Sequence, residues 1–415
     1  MTEMKAPMAE IRPHTDTCHG HTRTDNYAWL RDDNWQKVMH DPDVLDDAIR
    51  AYLEAENAYT ETVMAPAQSD VQTLFAEMKA RVKEDDASVP MDDGPWAYYR
   101  RYRDGGQHPI FCREPQGGGA EQVMLDGDAE AEGQAYFKIG AFDQSPDHKL
   151  CAYAVDLNGS EIYAIRFRDL ASGEELDDVI ENANGGLAWA PDGRTVLYTV
   201  IDDNHRPHAV RRHVLGTDPA DDPWVYKEPD AGFFVGVSLS ESRRFLMISA
   251  HDHQTSEVRI IDADKPNQAP RLVAERVVNT EYDLSDTDDG FLIRTNANGA
   301  EDFKVMTAPF DAPGPENWTE VVAHEPGRLI LGLQIFKNHW VRYERVNALP
   351  KIIVVGKDRE EYAITFDEEA FSLGLGGSYE YDTTTMRFTY SSMTTPEQVY
   401  DYDMASRERT LRKEQ

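Results

Sequence analysis

Two rhythms of apolar and polar positions divide the chain. Over roughly the first 85 residues, apolar side chains recur at helical intervals. Leu45, Ile49, Tyr52, Leu53, Tyr59 and Val63 share one face downstream of Asp41-Pro42, a capping residue followed by a proline suited to a first helical turn. Val71, Leu74, Phe75, Met78 and Val82 repeat the i, i+3, i+4 pattern after Ser69-Asp70-Val71-Gln72, which has the form of a capping box. The spacing predicts two amphipathic helices, and stripes of this width need a large apolar partner.

From about Trp96 the rhythm changes to short alternating runs separated by Gly, Pro, Asp and Asn, which is the grammar of strands and turns. One unit recurs: an apolar strand, a polar turn, and a second strand rich in Tyr, Val, Leu and Ile. Its clearest copies surround Ser145 (AFDQSPDHKLCAYAVD) and Ala190 (LAWAPDGRTVLYTVID). Weaker copies surround Ser240, Ser285, Phe336 and Tyr381, so the turns follow one another at intervals of 45 to 51 residues. That interval suits a four-stranded propeller blade, whose sheet covers both faces only by stacking on its neighbours. Strand-like runs between Trp96 and Asp126 supply one further unit without the signature turn. The expectation is therefore an all-β, seven-bladed β-propeller over residues 86–415, preceded by a helical segment over residues 1–85. Short periodic strands also mark paired sandwiches, but six turns at so even an interval favour the propeller.

Charge and cysteine content narrow the partners. With 42 basic against 76 acidic residues the formal net charge is −34, which opposes nucleic acid and anionic lipid and favours basic ligands. An acidic solvated surface serving solubility explains the same balance. Cys18, Cys112 and Cys151 are too scattered for a disulfide framework and fit a reducing compartment. Met1–Arg12 has no apolar export core, and no run approaches the roughly 18 apolar residues of a membrane span. The cytoplasm is the expected location, with no nucleic acid, membrane or cofactor as partner.

The stretch HGHTRTDNYAWLRDD from His19 to Asp33 closely resembles the opening signature of the prolyl oligopeptidase family, with His19, Gly20, Arg23, Asp25, Tyr27, Trp29, Leu30, Arg31 and Asp32 filling its pattern. YSSMTTP from Tyr390 to Pro396 is similar to the last blade of the oligopeptidase B branch. IRFRDL near Phe167 and TSEVRIIDAD near Val258 extend the resemblance over essentially the whole chain. It implies a serine peptidase that cleaves short peptides, in this branch after Arg or Lys, with a propeller capping an α/β-hydrolase domain onto which the N-terminal helices wrap.

The chemistry of that hydrolase domain is not in this sequence. A nucleophile elbow needs glycines around its strained serine, and no Gly-x-Ser-x-Gly occurs. Gly376-Gly377-Ser378-Tyr379-Glu380 lacks the closing glycine, and no later α/β alternation supplies a base, an orienting acid or oxyanion donors. The expectation is that the catalytic domain is absent from this chain, that the chain alone does not hydrolyse peptides, and that no catalytic residue is to be assigned in it. A free-standing propeller used as a protein-binding module is the alternative.

Three other patterns invite chemistry. His14, Cys18, His19 and His21 offer zinc-type donors, yet their spacing matches no recognised finger and a structural site needs a second ligand pair. His205 and His208 flank Arg206-Pro207 in a turn and carry less weight. Asp286–Gly290 (DTDDG) lacks the alternating carboxylates and distal glutamate of a calcium loop. No metal site is expected. Asn158-Gly159-Ser160 and Asn317-Trp318-Thr319 match the glycosylation sequon, which means little without an export signal.

Overall fold

The computed structural model describes residues 5–415 and divides into two compact units, residues 1–84 and 85–415. The first unit opens with a hairpin of β1 (His14–Cys18) and β2 (His21–Asp25). Its two-residue turn places His19 at φ 52° and Gly20 at φ 79°. Both central residues of such a tight hairpin turn need positive φ, so the glycine is there for its backbone freedom. Three helices follow: α1 (Trp35–His40), α2 (Asp47–Met64) and α3 (Gln68–Lys79).

The helix starts differ from those expected. Asp41 caps only a 3-10 turn over Pro42–Val44, and Asp46 caps α2 by accepting from the Ala48 and Ile49 amides. Ser69 caps nothing. The chain stays helical through the 3-10 turn Ala65–Ala67, so Ser69 lies inside α3 and its carbonyl accepts from Thr73 Oγ1. Ile49 is the only buried hydrophobic residue in this unit among the described residues. Val71, Leu74, Phe75 and Met78 of α3 are 44–66% exposed.

The second unit is a propeller of antiparallel sheets. Five are four-stranded: sheet 1 (residues 91–126), sheet 3 (234–272), sheet 4 (282–322), sheet 5 (328–363) and sheet 6 (371–414). Sheet 2, residues 138–227, is a single sheet of seven strands. The seven-bladed expectation is thereby corrected: five four-stranded blades stand as separate sheets, not seven. The reason is the 15-residue strand Glu175–Trp189. Its first half pairs with Tyr163–Asp169 and its second half with Thr195–Ile201, so no turn divides what lies on either side. Register shifts between Ile180 and Ala183 and between Ala183 and Leu187, with Asn182 and Gly185 at positive φ, bend it as bulges do.

Each repeat turn identified from the sequence joins the first two strands of a sheet or, at Ala190, follows the long strand. Neighbouring sheets pack through buried apolar clusters. Ala188, Leu197 and Val210 of sheet 2 meet Val235, Leu246 and Ile248 of sheet 3. Comparable clusters join sheets 3 and 4, 4 and 5, 5 and 6, and 1 and 2. Burial of this kind contributes about 25 cal/mol per Å² of apolar surface and is the main term holding a propeller together.

The junction of sheets 6 and 1, where the ring closes, is built differently. Sheet 1 comes wholly from the start of the unit and sheet 6 wholly from its end, so no strand is shared between them. No buried apolar cluster of the described residues spans the pair. Polar side chains bridge it instead. Arg387 donates to the Val89 and Pro90 carbonyls at 3.0 and 2.9 Å while pairing with Asp401, and Lys413 reaches Asp86 at 2.6 Å and the Ala87 carbonyl at 2.8 Å.

Candidate functional site

The most distinctive constellation lies where the repeat turns crowd towards the ring interior. Three of these turns share one construction. Ser145, Ala190 and Ser240 each accept from the amide three residues on, that of His148, Gly193 and Arg243, and donate to the carbonyl five residues on. The residue three along is left-handed each time, at φ 61°, 65° and 62°. Glycine meets that demand at no cost, whereas arginine meets it with strain. The third turn also lacks the aspartate that braces the first two. Ser242 stands there and donates from its amide and hydroxyl to Asp286 of sheet 4, which fixes the turn to the neighbouring sheet.

Held this way, Arg243 reaches across the ring interior. Its Nη2 donates to Asp93 of sheet 1 at 2.5 Å and to the Tyr379 carbonyl of sheet 6 at 3.1 Å. Asp93 is 4% exposed, and its other oxygen accepts from Gln144 of sheet 2 at 3.2 Å. The Gly94 amide donates to Glu380 at 3.2 Å, and the Tyr98 and Tyr379 rings meet edge to face at 6.2 Å. His148 Nδ1 lies 2.8 Å from the Tyr98 hydroxyl.

Carboxylates dominate this place. Burial, then the neighbouring Asp93 charge, pushes Asp143 up to about 7. Burial likewise lifts Glu241 to about 7, with Asp286 adding to it, and raises Glu380. Asp93, Asp143 and Glu380 give this place an acidic character that Arg243, Arg113 and His148 offset in part. A cavity of about 670 Å³ adjoins it at the junction of sheets 6 and 1, with Tyr98, Phe111, Met124, Phe142, Tyr379 and Arg387 in its wall.

A family model described as the prolyl oligopeptidase N-terminal beta-propeller domain matches residues 6–415. The chain belongs to the prolyl oligopeptidase family. A dipeptidyl aminopeptidase BI from Pseudoxanthomonas mexicana is 37% identical over 99% of this chain, and a protease 2 from Moraxella lacunata is 30% identical over 98%. The chain spans 58% of the length of each of these two relatives. Among solved structures, oligopeptidase B from Leishmania major superposes with a TM-score of 0.91 at 26% identity, covering 99% of this chain and 60% of that one. Oligopeptidase B from Trypanosoma brucei does so at 0.90 and 28%, with 99% and 60% covered. Recognition from the signature is thus upheld, for the N-terminal and propeller part of the family.

The family signature does structural work in the first unit. Asp25 accepts from the Tyr27 amide at 2.8 Å. Asp32 accepts from the amides of Asn34 and Asp46 at 2.7 and 2.8 Å, which lowers its pKa and ties the signature to the start of α2. Trp29 donates to the Glu10 carbonyl at 2.8 Å beneath the Arg12 guanidinium, 4.2 Å from the ring centre. These residues border an open concavity of about 1260 Å³ within that unit.

The other sequence candidates serve turns. Ser378 is exposed, and its hydroxyl donates to the Glu380 carbonyl with no histidine beside it among the described residues. His14, Cys18, His19 and His21 are strung along the exposed hairpin, and no metal-binding cluster is present among the described residues. His205, at φ 60°, lies in the turn before the strand Pro207–Val214, and His208 lies in that strand. Thr287 closes the Asp286–Gly290 turn by donating to the Gly290 carbonyl, and Asp288 pairs with Lys357 at 3.2 Å. Asn158 accepts from Ser160, and Asn317 donates to the Ala312 carbonyl.

The sequence reading missed Arg243, Asp93 and Asp143. One signal pointed to Arg243: its turn keeps the spacing of the copies at Ser145 and Ala190 but places an arginine at the left-handed position.

Proposed function

We propose that this chain is the access-controlling part of a serine peptidase that hydrolyses short peptides after Arg or Lys and carries its α/β-hydrolase catalytic domain in the same polypeptide. The observation that carries this reading is the match of the family's propeller domain over nearly the whole chain. The relatives' names, a dipeptidyl aminopeptidase and oligopeptidases, both describe peptidases of small substrates. Two further observations support it. The α3 stripe of Val71, Leu74, Phe75 and Met78 is too apolar to remain bare, and residues 1–85 use it to pack on the catalytic domain. The acidic ring interior around Asp93, Asp143 and Glu380 favours peptides bearing Arg or Lys. The three cysteines are unpaired, in keeping with the cytoplasm, and no helix of the described residues is long and apolar enough to cross a membrane.

The test compares the product of the complete open reading frame with residues 1–415 alone. The complete product should cleave a chromogenic peptide ending in Arg at least about 100-fold faster than its Ala counterpart, and a folded protein scarcely at all. Residues 1–415 should cleave neither. Equal turnover of a folded protein and a short peptide would remove the access role. Catalysis by residues 1–415 would restore a nucleophile to this chain. A coding frame with no hydrolase segment would favour the binding-module alternative.

A further inference from the structure

Arg243 combines three properties that no exposed arginine among the described residues brings together. It sits on a left-handed backbone at φ 62°, its side chain is only about one-third exposed, and it pairs with a carboxylate 150 residues away on a sheet that is not its neighbour in the ring. Left-handed backbone recurs in the turns of this chain, at His148, Arg359 and Arg407 among others, so the burial and the distant partner are what single out Arg243. The surroundings here are the Ser240 turn, the Ser242–Asp286 anchor and the carboxylate of Asp93.

The contacts also have a particular arrangement. One nitrogen, Nη2, holds both Asp93 of sheet 1 and the Tyr379 carbonyl of sheet 6. Those are the two sheets whose junction has no shared strand and no buried apolar cluster among the described residues. The side chain therefore does two things at once: it lies across the ring interior, and it clasps the joint with the least apolar packing. We propose that Arg243 is a cross-ring latch, whose release frees the junction of sheets 1 and 6 and unblocks the ring interior together. This deepens the access role proposed above by naming the contact that sets it.

The pair is suited to such a duty. Asp93 is buried, so its charge is costly without Arg243, and breaking a buried pair from one side costs far more than breaking an exposed one. Gln144 satisfies one oxygen of Asp93 but brings no charge. Other ties across the junction, from Arg387, Lys413 and Glu380 and between the Tyr98 and Tyr379 rings, join sheet 6 to sheet 1 and the chain leading into it, with no residue of sheet 3.

Hydrogen exchange followed by mass spectrometry on the whole 415-residue chain tests this without any peptidase activity, so it can fail while the peptidase reading stands. In Arg243→Gln, amides of residues 91–94 and 376–381 should exchange about ten-fold faster, while those of Phe245–His251 in the same sheet keep their wild-type rates. Asp93→Asn, which preserves shape, should accelerate the same two segments. The double variant should add nothing to the larger single effect, because both changes open one contact. Wild-type exchange at both segments in folded Arg243→Gln would overturn the proposal. If Arg243→Gln does not fold, Asp93→Asn decides alone: acceleration confined to the two segments upholds the latch, and unchanged or uniformly raised exchange rejects it.

Discussion

The two units solve opposite problems with similar residues. The propeller packs its Val, Ile, Leu and aromatic side chains between sheets, in clusters that run from one sheet to the next. Among its described residues the N-terminal unit buries one hydrophobic residue, Ile49, and it leaves the α3 stripe open. The same amphipathic grammar thus yields a core where a repeat supplies the partner face and a bare surface where the partner is something else. What holds the first unit is largely polar, with Asp25, Asp32 and Asp46 accepting backbone amides and Trp29 donating to Glu10.

That contrast can be broken where it is strongest. Phe167 is fully buried in sheet 2, edge to face with Trp189 at 5.7 Å. Phe167→Ala should lower unfolding free energy by about 3–5 kcal/mol, measured by denaturant titration. A comparable loss, about 3–5 kcal/mol, is expected for His213→Leu. His213 is completely buried between Asp222, at 3.0 Å from Nδ1, and Asp178, at 2.9 Å from Nε2. Each ring nitrogen has a buried carboxylate oxygen as its partner, and leucine leaves both carboxylates without it. A loss below about 1 kcal/mol would show that these acids find other partners or take up protons.

The next effect is a pH dependence of the propeller. Asp143 binds its proton more tightly in the folded chain, at about 7, than an ordinary aspartate does near 4. Its protonated form therefore favours folding fully below about 4, and that contribution is lost as pH rises towards and past 7. Asp93 and Tyr379 face it, so replacing Asp143 by Asn should flatten the decline in thermal stability between pH 4 and 7 relative to wild type. An identical slope in both proteins would assign the decline to other groups, of which Glu241 is the first. Smallest is Phe75→Asp, at a site 61% exposed. It should shift the stability of the 415-residue chain by no more than about 0.5 kcal/mol while reducing the binding of a hydrophobic dye. A large destabilisation would mean that the stripe is already covered.

How far the sequence could be read follows from where each feature's cause lies. The repeat turns at Ser145, Ala190 and Ser240 are written locally, in polar residues between apolar runs, and the structure places each beside the strands expected of it. The continuity of Glu175–Trp189 is not local. Its centre, Glu181-Asn182-Ala183-Asn184-Gly185-Gly186, has the composition of a turn, and only pairing on both sides keeps it extended through its bulges. The helix starts failed for a similar reason, since Asp41 and Ser69 are good caps placed where the chain turns helical for other causes. Arg243 and Asp93 were illegible as a pair because nothing in a window of sequence shows that positions 150 residues apart meet.

The long strand carries a consequence for how such a chain could have grown or could be rebuilt. A ring of self-contained modules can lose or duplicate one of them and reseal. Here an excision ending at Trp189 would strip the following hairpin, Thr195–Val214, of its inner neighbour, and one beginning at Glu175 would leave Tyr163–Asp169 unpaired on that side. Residues 138–227 therefore form one block of pairing, whereas each four-stranded sheet pairs only within itself.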